Sequence, residues 1–72
     1  MIIGGEDVKN RIRELRARHK MSQGELASAA GLSRSSISNI ENGEQVPAGD
    51  AMIRIAKVLG ESVEYTFYNM ED

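Results

Sequence analysis

Arg34, Ser35, Ser38, Asn39 and Asn42 are the residues of this chain whose types and spacing suggest a chemical task. On a helix the last four fall within an arc of about 100° opposite Ile37 and Ile40, with Arg34 at its flank near the helix start. None of the five is apolar or acidic. A merely solvated helix face usually carries Glu and Lys pairs. Small polar side chains with one guanidinium and two amides instead suit close approach to base edges, where arginine can bridge guanine and asparagine can bridge adenine through two hydrogen bonds each. Gln23 and the free N–H groups after Ser22 and Ser33 would hold phosphates on either side, with Ser36, Asn42, Arg13 and Lys20 as further candidates for backbone contact. Catalysis has no comparable constellation: no base-activated nucleophile, paired carboxylates or ligand cluster is visible, so neither an enzyme nor a cofactor is expected. A single histidine, His19, in a chain without cysteine argues against a metal site.

The elements that must position these residues lie between Met21 and Gly43. Ser22 followed three residues later by Glu25 is a capping box, with Met21 and Leu26 at the positions of a hydrophobic staple. Leu26, Ala27 and Ala30 follow at helical spacing, and Gly31 stands where a left-handed residue would end the helix. Ser33 is then a second N-cap, Leu32 and Ile37 repeat the staple, Ile40 continues the buried face, and Gly43 can stop the helix. Helix, short glycine turn, helix is the helix-turn-helix arrangement. The capping and apolar residues of this stretch are read as architecture rather than as ligand contacts.

A first helix is expected to begin near Glu6 or Asp7, where acidic residues suit the positive end of the dipole, with Val8, Ile12, Leu15 and His19 as its apolar stripe. Arg16 falls within about 40° of that stripe. Its guanidinium therefore needs a partner at the core edge, and Glu41, placed in the same relation to Ile37 and Ile40, makes a structural ion pair the economical solution. Glu44 to Pro47 reads as a loop. Met52, Ile55, Ala56 and Leu59 predict a fourth helix closed by Gly60. From Val63 to Phe67 either a short helix or an alternating strand is possible, the helix being favoured. The tail aromatics are read first as core closure. The expected organisation is a loose end at residues 1–5, one all-α domain of five helices over residues 6–68, and a tail at 69–72.

Seventy-two residues without cysteine support a modest core, stable by roughly 4–11 kcal/mol. Absence of cysteine, of a signal peptide and of a long apolar run points to the cytoplasm. The net charge of −2 weakly disfavours a polyanionic partner, but it is unevenly placed. Residues 1–40 carry seven Lys/Arg against four Asp/Glu, whereas residues 41–72 carry two against seven. A basic front can meet phosphate while an acidic back limits nonspecific sticking.

From IRELRARHKMSQGELASAAGLSRSSISNIENG through PAGDAMIRIAKVLG, the chain resembles the Cro and phage-repressor (Xre-type, lambda repressor-like) helix-turn-helix domains over nearly its whole length. The resemblance implies a DNA-binding transcriptional regulator, with repression the favoured sign. It places the helix bearing SRSSISNIENG in the major groove, gives Gln23 a role in clamping the DNA backbone, and puts an arginine–glutamate pair at Arg16 and Glu41. It also implies symmetric homodimers on palindromic operators; together with the apolar tail it leads us to expect Tyr65, Phe67, Tyr68 or the loop before Pro47 near the contact. Two departures stand out. Glu44-Gln45-Val46 replaces the basic loop of many members, and Ala48-Gly49-Asp50 supplies no serine cap to the fourth helix, whose start should be loose. The domain stands alone in this sequence, without a cleavage or ligand-sensing segment. The alternative is a protein-interaction module on the same fold, such as an antitoxin or a coactivator-like adaptor with a protein partner, motivated by the acidic back and aromatic tail.

Overall fold

The computed structural model describes residues 8–69. Strand β1 (Val8–Asn10) is followed by helices α1 (Ile12–Arg18), α2 (Gln23–Ala30), α3 (Arg34–Glu41), α4 (Gly49–Leu59) and α5 (Val63–Thr66), and by strand β2 (Phe67–Asn69). Serine starts three of the helices: the hydroxyls of Ser22, Ser33 and Ser62 accept from the N–H of Glu25, Ser36 and Tyr65, each at 3.0 Å. At Ser22 the box is complete, because the Glu25 carboxylate accepts from the Ser22 N–H at 2.8 Å. α4 starts at Ala48 with no side-chain cap, as its sequence led one to expect.

The helix ends are equally uniform. After α1, α2, α3 and α4 the chain makes the same two reversed hydrogen bonds, for example Leu32 N–H to the Ala27 carbonyl and Gly31 N–H to the Ser28 carbonyl. They absorb carbonyls that a helix end would otherwise leave bare. Gly31, Gly43 and Gly60 take the left-handed conformation this ending demands.

Five helices form the fold, yet it is not wholly helical. Where the first helix was expected to begin, Val8–Asn10 is instead a strand, paired antiparallel with β2 in the register Val8↔Asn69, Lys9↔Tyr68, Asn10↔Phe67. The Asn10 carboxamide oxygen accepts from Ile12 N–H at 3.1 Å, which ends the strand and begins α1. Glu6, Asp7 and the expected loose end at residues 1–5 lie outside the described residues. The tail adopts both conformations in turn, one helical turn and then a strand. Asn69, expected in the tail, is the last residue of β2; residues 70–72 lie outside the described range.

Ile12, Leu15, Leu26, Ala27, Ala30, Ile37, Ile40, Ile55, Leu59 and Phe67 form the core, with Met52 partly buried against it. Phe67 is therefore removed from the residues expected near a subunit contact. His19, expected on the apolar stripe of the first helix, is exposed; its Nε2 lies 2.8 Å from the Leu59 carbonyl, which can only accept, so Nε2 carries the proton. Among the described residues no helix is long and apolar enough to cross a membrane.

The α1 to α3 contact is made by charge. Arg16 donates Nε to Glu41 Oε2 at 2.6 Å and Nη2 to Oε1 at 3.1 Å, a bidentate pair, while Nη1 holds the Met21 carbonyl at 2.9 Å. The Glu41 side chain is 1% exposed and that of Arg16 15%. Arg16→Ala or Glu41→Ala should each destabilise the domain by about 3–5 kcal/mol, since either strands a buried charge. Replacing both with apolar residues of similar size should cost far less than the sum. Urea melts of the singles and the double check this, and singles that melt like wild type would refute it.

Candidate nucleic-acid interface

α2 and α3 are held at their angle by the Gly31 turn and by buried Leu26, Ala27, Ala30, Ile37 and Ile40. Their outer surfaces meet in an open cleft of about 360 Å³ lined by Gln23, Arg34, Ser35, Ser38 and Asn39. No apolar or acidic side chain lines it. The four residues expected to face bases thus come together, and Gln23, from the start of α2, joins them. Arg34 and Ser35 are exposed, whereas Ser38, Asn39 and Gln23 are half-buried. Gln23 does not hang free: its Nε2 donates to Glu41 Oε1 at 3.2 Å. The carboxylate can only accept, so it fixes which end of the Gln23 amide turns inward.

The remaining candidates do not line the cleft. Ser22 and Ser33 spend their hydroxyl lone pairs on capping, and the Ser33 hydroxyl lies 3.1 Å from that of Ser36. What these helix starts offer a ligand is main-chain N–H from the first turns, which a helix leaves without internal partners. Asn42 is exposed at the end of α3. The Arg13 side chain is 74% exposed, with Nε 3.7 Å from Glu41 Oε1. Lys20 is exposed in the turn before α2.

Tertiary structure sorts the basic residues in a way their spacing could not. The Arg11 guanidinium lies between the Tyr65 and Tyr68 rings, 4.4 Å and 4.2 Å from their centroids, and donates to the Tyr65 carbonyl. Arg16 is held in its buried pair, and Arg18 binds Glu14 at 3.2 Å. Among the described residues no ion pair engages Lys9, Lys20 or Arg34. Arg54, which drew no notice in the sequence, donates Nε to the Ala30 carbonyl at 2.8 Å, so α4 caps the end of α2. Its Nη1 binds Asp50 at 2.9 Å, and this guanidinium holds the Asp50 carboxyl below its usual range.

Asn10 was also missed. Besides starting α1, it donates Nδ2 to the Ile40 carbonyl at 2.9 Å, tying β1 to the last turn of α3. Its bond to the Ile12 N–H is a local Asx turn, one residue ahead of Arg11 at the N-cap position of α1. Its second bond crosses 30 residues of chain and leaves no local trace.

A family model described as Helix-turn-helix matches residues 12–65. The chain is 34% identical over 65 residues to the uncharacterized HTH-type transcriptional regulator YgzD of Bacillus subtilis, covering 90% of this chain and 98% of that one. The P22 c2 repressor, solved in complex with a synthetic operator, is 34% identical with a TM-score of 0.74, over 76% of this chain and 83% of that one. SinR of Bacillus subtilis, a master regulator for biofilm formation solved in complex with DNA, is 35% identical with a TM-score of 0.69, over 74% of this chain and 86% of that one.

Asn10→Ala should cost about 1–3 kcal/mol by leaving the Ile12 N–H without its acceptor and the Ile40 carbonyl with the Gly43 N–H as its remaining donor. Asn10→Asp should recover little, because it keeps the acceptor for Ile12 but sets a carboxylate against a carbonyl. Urea titration of both variants measures this, and a wild-type midpoint for either contradicts it.

Proposed function

This chain belongs to the Cro/C1-type helix-turn-helix family of DNA-binding transcriptional regulators, and we propose that it is a cytoplasmic repressor that reads its operator with the exposed face of α3. The observation that carries this reading is the cleft formed by Gln23, Arg34, Ser35, Ser38 and Asn39, polar throughout and free of carboxylates. A guanidinium and an amide there suit guanine and adenine edges in the major groove. Ser35 and Ser38 are short enough to let the helix approach the base pairs. Gln23, steadied by Glu41, together with Ser22, Ser33, Ser36, Asn42, Arg13 and Lys20, addresses the phosphates and sets the register.

The protein acts as a homodimer on DNA, its two copies of α3 about one helical turn, roughly 34 Å, apart on a two-fold operator. Among the described residues Ile53, Val46 and Tyr68, 58%, 56% and 38% exposed, are the large apolar side chains available to the contact. Sedimentation with and without operator should show a weak dimer that tightens on DNA; one monomer per operator at saturating protein would overturn the dimer. The same exposed residues favour, as a second reading, a protein partner docking on the domain.

Selection of bound duplexes from a random pool should return one preferred two-fold sequence. Against it, Arg34→Ala or Asn39→Ala should cost about 1–3 kcal/mol while changing affinity for scrambled DNA little, so the specificity ratio falls. Gln23→Ala should weaken both duplexes alike and, removing no charge, leave the salt dependence unchanged. Arg13→Ala should lower the slope of log affinity against log salt by about one per subunit. Folded Arg34 and Asn39 variants that keep the wild-type ratio would remove α3 as the reading helix.

A further inference from the structure

Four helices of this chain end on the same pair of reversed hydrogen bonds, and three of them put glycine at the left-handed position. The fourth, closing α1, puts Lys20 there: Lys20 N–H reaches the Ala17 carbonyl at 3.1 Å and Met21 N–H the Arg16 carbonyl at 2.9 Å, with φ at Lys20 of 54°. It is the one non-glycine residue with positive φ among those described. In this conformation a Cβ crowds the following carbonyl oxygen. Asparagine or aspartate can offset the crowding with a short local hydrogen bond, but lysine has no such means. The Lys20 side chain is exposed, and among the described residues no hydrogen bond or ion pair engages its ammonium. The folded chain therefore gains nothing visible from lysine at a position that suits glycine.

The location of Lys20 gives the strain a use. Arg16 grips the carbonyl of the next residue, Met21, with one nitrogen and Glu41 with two others, and Glu41 in turn grips Gln23. The backbone carrying Lys20 is thus fixed to the same buried pair that orients Gln23 at the rim of the cleft. Backbone strain that persists because its surroundings over-determine it tends to mark functional positions. We propose that Lys20 is a phosphate anchor of the interface, a cation kept beside Gln23 at the expense of folding stability. The inference rests on the DNA-binding reading above, in which Lys20 is one of several phosphate candidates, and adds to it that the effects of Lys20 on folding and on DNA affinity have opposite signs.

The test uses the full chain, its selected operator and a scrambled duplex, at salt from about 50 to 200 mM. Lys20→Gly should raise the thermal midpoint by roughly 4–8 °C. The same variant should bind both duplexes more weakly at low salt with the specificity ratio unchanged. Its salt slope should fall by about 0.9 per subunit, so that its deficit against wild type shrinks roughly threefold per subunit across that range. Lys20→Asn, neutral but tolerant of the left-handed conformation, should lose the slope in the same way. Lys20→Arg should keep both the wild-type slope and the lower midpoint. A glycine variant that melts no higher than wild type, or one that keeps the wild-type slope while wild type still selects its operator, overturns the proposal and leaves the DNA-binding reading standing. A wild-type chain that prefers no duplex overturns both.

Discussion

Arg16 and Glu41 are two charges that neither α1 nor α3 could place beside the core alone, and much of the domain's geometry is the means by which each is satisfied. The guanidinium spends three nitrogens: two on the carboxylate and one on the Met21 carbonyl. The carboxylate accepts from Gln23 as well, with Arg13 at its edge. One buried pair therefore sets the α1–α3 contact, the path of the turn into α2 and the orientation of an amide at the cleft. A pair so enclosed is a weak source of net stability, because desolvation offsets most of the attraction. What it contributes is a defined arrangement, since breaking the pair would leave a buried charge without its partner.

Electrostatics outside that pair follow a division of labour. Arg11 stacks between two tyrosines, Arg18 binds Glu14, and Arg54 closes the end of α2 while holding Asp50. These cations serve the fold. Arg13, Lys20 and Arg34 stay exposed in the half of the chain that carries α2 and α3, and give an acidic protein cations open to solvent. The balance suits a partner that must be released from most of the polyanions it meets, because a net charge of −2 adds no general attraction to phosphate. In the proposed reading, selectivity comes from the few side chains in the cleft.

The small sheet has a structural role larger than its six residues. β1 brings Asn10 to the last turn of α3 and Arg11 to the α5–β2 junction, where its N–H binds the Thr66 carbonyl at 2.8 Å. The two ends of the described chain thereby brace the helix that carries the cleft. α4, which begins without a side-chain cap, is braced from the other direction by Arg54 at the α2 terminus.

Local chemistry by itself determined the helix-turn-helix. The capping box at Ser22 and Glu25, the Ser33 cap, the left-handed Gly31 and the apolar spacing of Leu26, Ala30, Ile37 and Ile40 act over three or four residues, so each could be read where it stands. The Arg16 to Glu41 pair was legible too, because two charges on the core edges of two helices have few ways to be satisfied. The gathering of Arg34, Ser35, Ser38 and Asn39 at one surface follows from helical periodicity alone. Tertiary structure decided the rest. Val8–Asn10 became a strand because residues almost 60 positions away offered it a partner, and the acidic residues before it gave no hint of that. Which arginines remained free depended on neighbours distant in sequence. Short-range hydrogen bonds and periodicity are written into consecutive residues, whereas strand pairing and the allocation of charges are settled only when separate segments compete for the same partners.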